Sequence, residues 1–153
     1  LMTDTDQAID PITLNERQAS VLDSTFIGIL STVRHSDGRI SSNPVSFIWN
    51  GVEVEISTLK SRMKYRNLVA NPAATFCVVS PEDHMRYVEI RGTARLVDDP
   101  DKSYLRSAFR QLTGEDPPQD MDPPGAQRVT IYIRPEQVSS PAMYGGRFEN
   151  KPD

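Results

Sequence analysis

The chain has 153 residues, 37% of them hydrophobic and 25% charged, with a formal net charge of −4. That length suits one domain with a real core, and the acidic balance argues against the broad basic surface of a general nucleic-acid binder. No apolar run approaches the roughly 18 residues of a membrane-spanning helix, and the single Cys77 has no partner for an internal disulfide, which implies a reducing, cytoplasmic setting.

Residues 1–12 are polar and acidic and read as a disordered N-terminus, not a signal peptide, with Met2 as the natural start. Thr13-Leu14-Asn15-Glu16 has the form of a capping box with Thr13 at the N-cap, and an amphipathic helix follows to about residue 23. Residues 26–33 are strand-like. Ser36-Asp37-Gly38-Arg39 then turns, and the chain returns as a strand over 40–49, with Val45, Phe47 and Trp49 on one face. Asn50-Gly51 is a second hairpin signal, and 52–58 completes a three-strand antiparallel meander. A short helix over 62–70 stops before Asn71-Pro72.

Residues 74–80 form a continuous apolar strand that reads as buried on both faces, with Cys77 as a small core residue. A long strand over 85–97 carries Gly92 as a barrel-corner kink. The acids at 98–101 open a helix to about residue 112. The proline-rich stretch 114–125 reads as a loop that would order against a partner, and 126–134 is the last strand. The remainder, 135–153, is a tail whose Met143-Tyr144-Gly145-Gly146 either folds over the site or trails, with trailing the favoured reading. The predicted architecture is one mainly β domain over 13–134, a small barrel of six or seven antiparallel strands with short helices. Its long edges need covering. A homodimer would cover them and build clefts at the seam, a common place for cofactors.

Protein-borne chemistry is sparse. His35 and His84 sit in turns without metal-ligand spacing. There is no nucleophile elbow, phosphate-cradling Walker loop or dinucleotide fingerprint. Glu53 and Glu55 alternate with apolar neighbours and read as the wet face of a strand. If the chain is an enzyme, its reactive atoms belong to a cofactor.

Two stretches point to such a cofactor. Lys60-Ser61-Arg62-Met63-Lys64-Tyr65-Arg66 packs four cations into seven residues, after Ser57-Thr58 at a strand end and at the start of a helix. Orphan N–H groups at a helix N-terminus attract anions, and Arg forks and Lys point charges both suit phosphate. The bland alternative is a solvated basic helix face. Ser41-Ser42-Asn43-Pro44-Val45-Ser46 is the second stretch. Its proline belongs at a sheet edge or bulge, and its small residues would let a flat ring approach the backbone. A plain edge strand would look the same.

Taken in order, the first helix and the strand Phe26-Ile27-Gly28-Ile29-Leu30-Ser31-Thr32 precede the Asp37-Gly38 turn, Ser42-Asn43-Pro44-Val45 and Ser57-Thr58. Arg62-x-Lys64-x-Arg66-Asn67-Leu68 with Asn71-Pro72 follows. This order resembles the pyridoxamine-phosphate-oxidase-like split β-barrel superfamily, and within it the branch of F420-dependent oxidoreductases. The resemblance spans about residues 13–134. It implies a homodimeric, FMN-binding-like split barrel that holds coenzyme F420, or alternatively FMN, at the subunit seam.

By that resemblance Arg62 and Lys64 grip the cofactor phosphate, with Ser57, Thr58 and Asn67 in support and Lys60 near the anionic tail. Ser41, Asn43, Pro44 and Val45 line the ring, and Met85 and Tyr87 reach in from the partner subunit. The implied activity is hydride transfer between reduced F420 and a conjugated small-molecule acceptor. The alternatives are an FMN oxidase or reductase of the same fold, or a non-catalytic binder of F420 or haem. The tail lacks the arginine motif that holds the vitamin B6 phosphate in true pyridoxamine-phosphate oxidases, so vitamin B6 oxidation is not implied.

Overall fold

A computed structural model describes residues 12–149. In chain order the elements are α1 (Glu16–Asp23), β1 (Ile27–Val33), β2 (Ile40–Ser46), β3 (Ile48–Trp49), β4 (Val54–Leu59) and α2 (Met63–Ala70). They continue with β5 (Ala73–Val79), β6 (Tyr87–Asp98), α3 (Ser103–Thr113), β7 (Arg128–Ile133), β8 (Gln137–Ser139) and a 3-10 turn at Met143–Gly146. The predicted disorder of the N-terminus falls almost wholly outside the described residues.

The mainly β, barrel-like architecture is as expected, with different detail. The strands pair antiparallel in the order β2-β1-β5-β6-β7-β4-β3, and β8 adds to β6. The two ends of that order, β2 and β3, are consecutive in the chain and separated only by Phe47. The sheet therefore rolls until its ends are joined covalently. No ladder joins β2 to β4 among the described residues, so a seam stays open there.

The predicted meander is thus two hairpins in different parts of the sheet, β1 with β2 and β3 with β4. The strand expected over 40–49 splits because Phe47 and Ile48 are both buried, which unbroken two-residue alternation cannot achieve.

Alternate positions of the strands fill the core. Leu30, Val54, Ile56, Phe76, Val78, Val88, Ile90, Ile131 and Ile133 are all fully or almost fully buried. Helix α1 closes one end with Val21 and Leu22, and α2 contributes Leu68. The cap of α1 is two residues later than predicted. Asn15, not Thr13, accepts the Gln18 N–H at 2.8 Å, and the Gln18 side chain answers the Asn15 N–H at 3.0 Å.

Strand β5 is not buried on both faces. Ala74, Phe76 and Val78 point inward, while Val79 is 46% exposed and Cys77 lies half-buried on the outer face, opposite Ile29. An antiparallel sheet can cover one face with core and leave the other open. Cys77 is therefore an outward residue, not a core one.

Strand β6 runs unbroken through Gly92, where its neighbour on one side changes from β8 to β7. A Cβ at Gly92 would stand 2.4 Å from the Arg134 carbonyl oxygen, so only glycine permits that close passage.

The tail does not simply trail, because β8 pairs with Glu89, Ile90 and Arg91, and Glu149 is bound to Arg17 and Arg86. Nor does loop 114–125 wait for a partner. Asp116 binds Arg110, while Asp122 binds Arg128 and Lys102 within the same protomer.

A cationic cleft at the open seam

Where β2 and β4 diverge, a cleft of about 560 Å³ opens, and α3 forms its far wall. Three local features build its polar end. Ser57 and Thr58 stand just before the last residue of β4, both lining the cleft. Arg62 then takes the N-cap of α2 in an extended conformation and makes no side-chain capping bond. The first turn of α2 holds no acidic residue, and Lys64 follows Arg62 into the cleft wall.

Among the described residues neither cation is paired with a carboxylate, although ten ion pairs hold other groups. Burial first, and the nearby Arg62 charge second, push the Lys64 ammonium below its ordinary pKa. Two uncompensated cations beside a helix N-terminus are mutually unfavourable, and an anion between them would relieve the cost.

The ring-lining stretch lies along the same cleft. Asn43, Pro44 and Val45 form the β2 wall, at the sheet edge where a proline costs no ladder bond. Leu30 opposes Asn43 and Gly28 opposes Val45 in the register. Gly28 has a second role: a Cβ there would sit 2.2 Å from the Phe76 ring. Phe76 in turn packs edge-on against Phe47 at 4.9 Å between centroids, and Phe47 lines the cleft.

Of the twelve residues expected in the site, the fold brings seven together: Asn43, Pro44, Val45, Ser57, Thr58, Arg62 and Lys64. The other five lie elsewhere in the protomer. Ser41 is further back on β2, opposite Thr32. Lys60 does not line the cleft. Its ammonium binds Asp98 at 2.9 Å and stands 5.9 Å from the Tyr65 ring centroid.

Asn67 is fully buried, and its amide donates to Thr32 Oγ1 at 3.1 Å. Its oxygen engages the His35 backbone N–H and ring Nδ1 at 3.1 and 2.9 Å. With those partners Asn67 fastens the β1–β2 turn to α2, and its full burial keeps it out of the cleft lining. Met85 lies in the turn before β6, and Tyr87 opens β6 opposite Val79, away from this protomer's cleft.

Several lining residues escaped the reading of the sequence. Tyr104, Leu105, Ala108, Phe109 and Leu112 of α3 all face the cleft. Their helical spacing was visible, but the face they would cover was not. Glu55 is no wet-face residue, since Tyr104 Oη donates to its Oε1 at 3.2 Å and Asn50 Nδ2 to its Oε2 at 2.8 Å. Burial, then the Glu55 carboxylate, raise the Tyr104 phenol far above its ordinary pKa, so it remains a protonated donor. Glu53 is likewise covered, bound to Arg95 at 3.1 Å while Arg95 stacks on Tyr132.

The family profile described as Pyridoxamine 5'-phosphate oxidase matches residues 14–140 of this chain. The chain belongs to the pyridoxamine 5'-phosphate oxidase family. Among solved structures it is similar to a protein titled F420 Reductase, at 33% identity and TM-score 0.71, over 82% of this chain and 98% of that one. A conserved hypothetical protein of Mycobacterium tuberculosis matches at 23% identity and TM-score 0.65, over 89% of each chain. General Stress Protein 26 of Bacillus anthracis matches at 22% identity and TM-score 0.62, over 84% of this chain and 94% of that one. The last two establish likeness of fold alone. A search of the curated proteins gives no match.

Proposed function

We propose that this protein is an F420-dependent oxidoreductase that moves a hydride between reduced deazaflavin F420 and a conjugated small-molecule acceptor. The observation that carries the reading is the pair Arg62 and Lys64, both without a carboxylate partner among the described residues, at one end of a cleft otherwise walled by β2 and the apolar face of α3. The 33% identity with an F420 reductase over most of both chains supports the deazaflavin in particular.

The residues fit the cofactor's chemistry. Arg62 and Lys64 would neutralise the phosphate, with Ser57 and Thr58 donating hydroxyl hydrogen bonds. Asn43, Pro44 and Val45 would bed the ring against β2. Leu105, Ala108, Phe109 and Leu112 would exclude water from its other face. When bound, the deazaflavin supplies or takes the hydride. The protein's own contribution is orientation and a dry environment.

A homodimer belongs to the same proposal. Ile27, Ile29 and Val79 are 41%, 39% and 46% exposed on the outer face of β1 and β5, with Pro44 next to Ile29 in the register. A contiguous apolar strip of this kind marks an interaction surface. Tyr87, paired with Val79, borders it, and in the proposed dimer it would reach the partner's cleft. A cytoplasmic location, where F420 and its reductants are available, completes the reading.

The test is binding followed by turnover. Purified protein is titrated with F420 and with FMN and read by absorbance, and reduced F420 is then offered with enone and quinone acceptors. F420 binding with acceptor-dependent oxidation is expected. Retention of FMN in preference to F420 would replace the deazaflavin assignment. Tight F420 binding without oxidation by any acceptor would make the protein a carrier.

A further inference from the structure

A third cation reaches the cleft from an unexpected direction. Arg128 opens β7 opposite Leu59, and it lines the same cleft as Arg62 and Lys64. Its side chain is only 10% exposed. Nε and Nη2 donate to the two oxygens of Asp122 at 2.9 and 2.6 Å, a bidentate fork. Nη1 is directed the other way, 3.4 Å from Ser57 Oγ.

Asp122 does not belong to Arg128 alone, since Lys102 Nζ approaches the same carboxylate at 3.4 Å. One anion shared by two cations leaves the trio net positive. The Asp122 side chain is 3% exposed, so this is no solvated surface pair of small consequence. The fork fixes the guanidinium plane, and the remaining edge faces the cleft beside a hydroxyl. A desolvated, immobilised guanidinium whose Nη1 meets only a neutral hydroxyl at the cleft is suited to an oxyanion.

We propose that Arg128 is a third phosphate-binding group of the cleft, aimed from the β7 side through Ser57, with Asp122 as its positioning residue. The inference rests on the reading of the cleft as a cofactor-phosphate site. It also gives loop 114–125 a function, because Asp122 ties that loop to the guanidinium it orients.

The test compares three probes: 8-hydroxy-5-deazariboflavin, its 5'-phosphate, and F420. Arg128→Ala alone would leave Asp122 buried with only Lys102 to pair with it, so the informative variant is Arg128→Gln combined with Asp122→Asn, which removes the two opposite charges together. Losing a hydrogen bond to a charged group weakens binding by about tenfold to a hundredfold. The double variant should lose that much for the 5'-phosphate and for F420, and nothing for the phosphate-free parent, whose unchanged affinity also shows an intact cleft.

Equal weakening of all three probes would mean that Arg128 merely holds the loop, and the proposal falls. A loss confined to F420 would assign Arg128 to the anionic tail and overturn the phosphate role. If Arg62→Ala abolishes the preference for phosphate and the double variant retains it, Arg128 alone is wrongly assigned. If both variants retain it, or the wild type has no such preference, the phosphate reading of the cleft fails as well.

Discussion

Lys64 is the residue at which binding and stability should move in opposite directions. In the free protein its ammonium is disfavoured by burial and by Arg62, which is why its pKa is lowered. Replacing it with methionine keeps the apolar stem, removes the like charge, and leaves no carboxylate orphaned, since none is paired with it among the described residues. The free Lys64→Met protein should therefore melt no lower than wild type.

Cofactor binding should suffer. A hydrogen bond to a charged partner contributes about 1.5–3 kcal/mol, which corresponds to a Kd about ten- to 150-fold higher. Arg95→Met is the matched control. Arg95, on β6, is a cation too, but it is bound to Glu53 and stacked on Tyr132, outside the cleft lining. The assay is calorimetric titration with F420, paired with thermal melts of the free proteins. Equal losses of affinity for the two variants would refute the assignment, and so would a Lys64→Met protein that melts much lower yet binds F420 as wild type does.

The pH dependence of binding follows from the same shift. Lys64 binds an anion only when protonated, so F420 affinity should decline as pH rises through the lowered lysine pKa, while Lys64→Arg keeps its affinity to higher pH. The free protein runs the other way: the unfolded chain holds the Lys64 proton to its ordinary value of 10.5, above the folded one, so this lysine makes stability rise with pH across that window. Asn67→Ala strands His35 and Thr32 and should cost about 2–4 kcal/mol in denaturant unfolding, yet change F420 affinity less than twofold once ligand is titrated onto folded protein. Ile29→Lys places a charge in the outer apolar strip and should convert the proposed dimer to a monomer in sedimentation, whereas a wild-type monomer at micromolar concentration would remove the dimer from the reading.

Much of the chain was legible because its signals are local. Asp37-Gly38 and Asn50-Gly51 lie where the turns fall, with Gly38 and Gly51 at φ of 75° and 94°. The basic helix starts at Met63 with Arg62 at its N-cap, within one residue of the expected start. Ser57, Thr58, Arg62 and Lys64 are near neighbours in sequence, and so they could be grouped before any fold was known.

What the chain order could not reveal is which surfaces meet. Phe47 and Ile48 break an apparently continuous strand because the sheet must turn a corner to close, a demand that arises only when β7 pairs with β4. Asn67 carried the right pattern for a phosphate ligand but was claimed by His35 and Thr32, more than thirty residues upstream. Arg128 and Tyr104 enter the cleft from the second half of the chain, Arg128 through the pairing of β7 with β4 and Tyr104 through α3 folding back onto Glu55. Sequence alone determined the turns, the helix caps in outline, the alternation that makes a β domain, and the cluster of like charges. The tertiary structure alone decided which of those charges lack a partner, because pairing depends on distances through space between segments far apart along the chain.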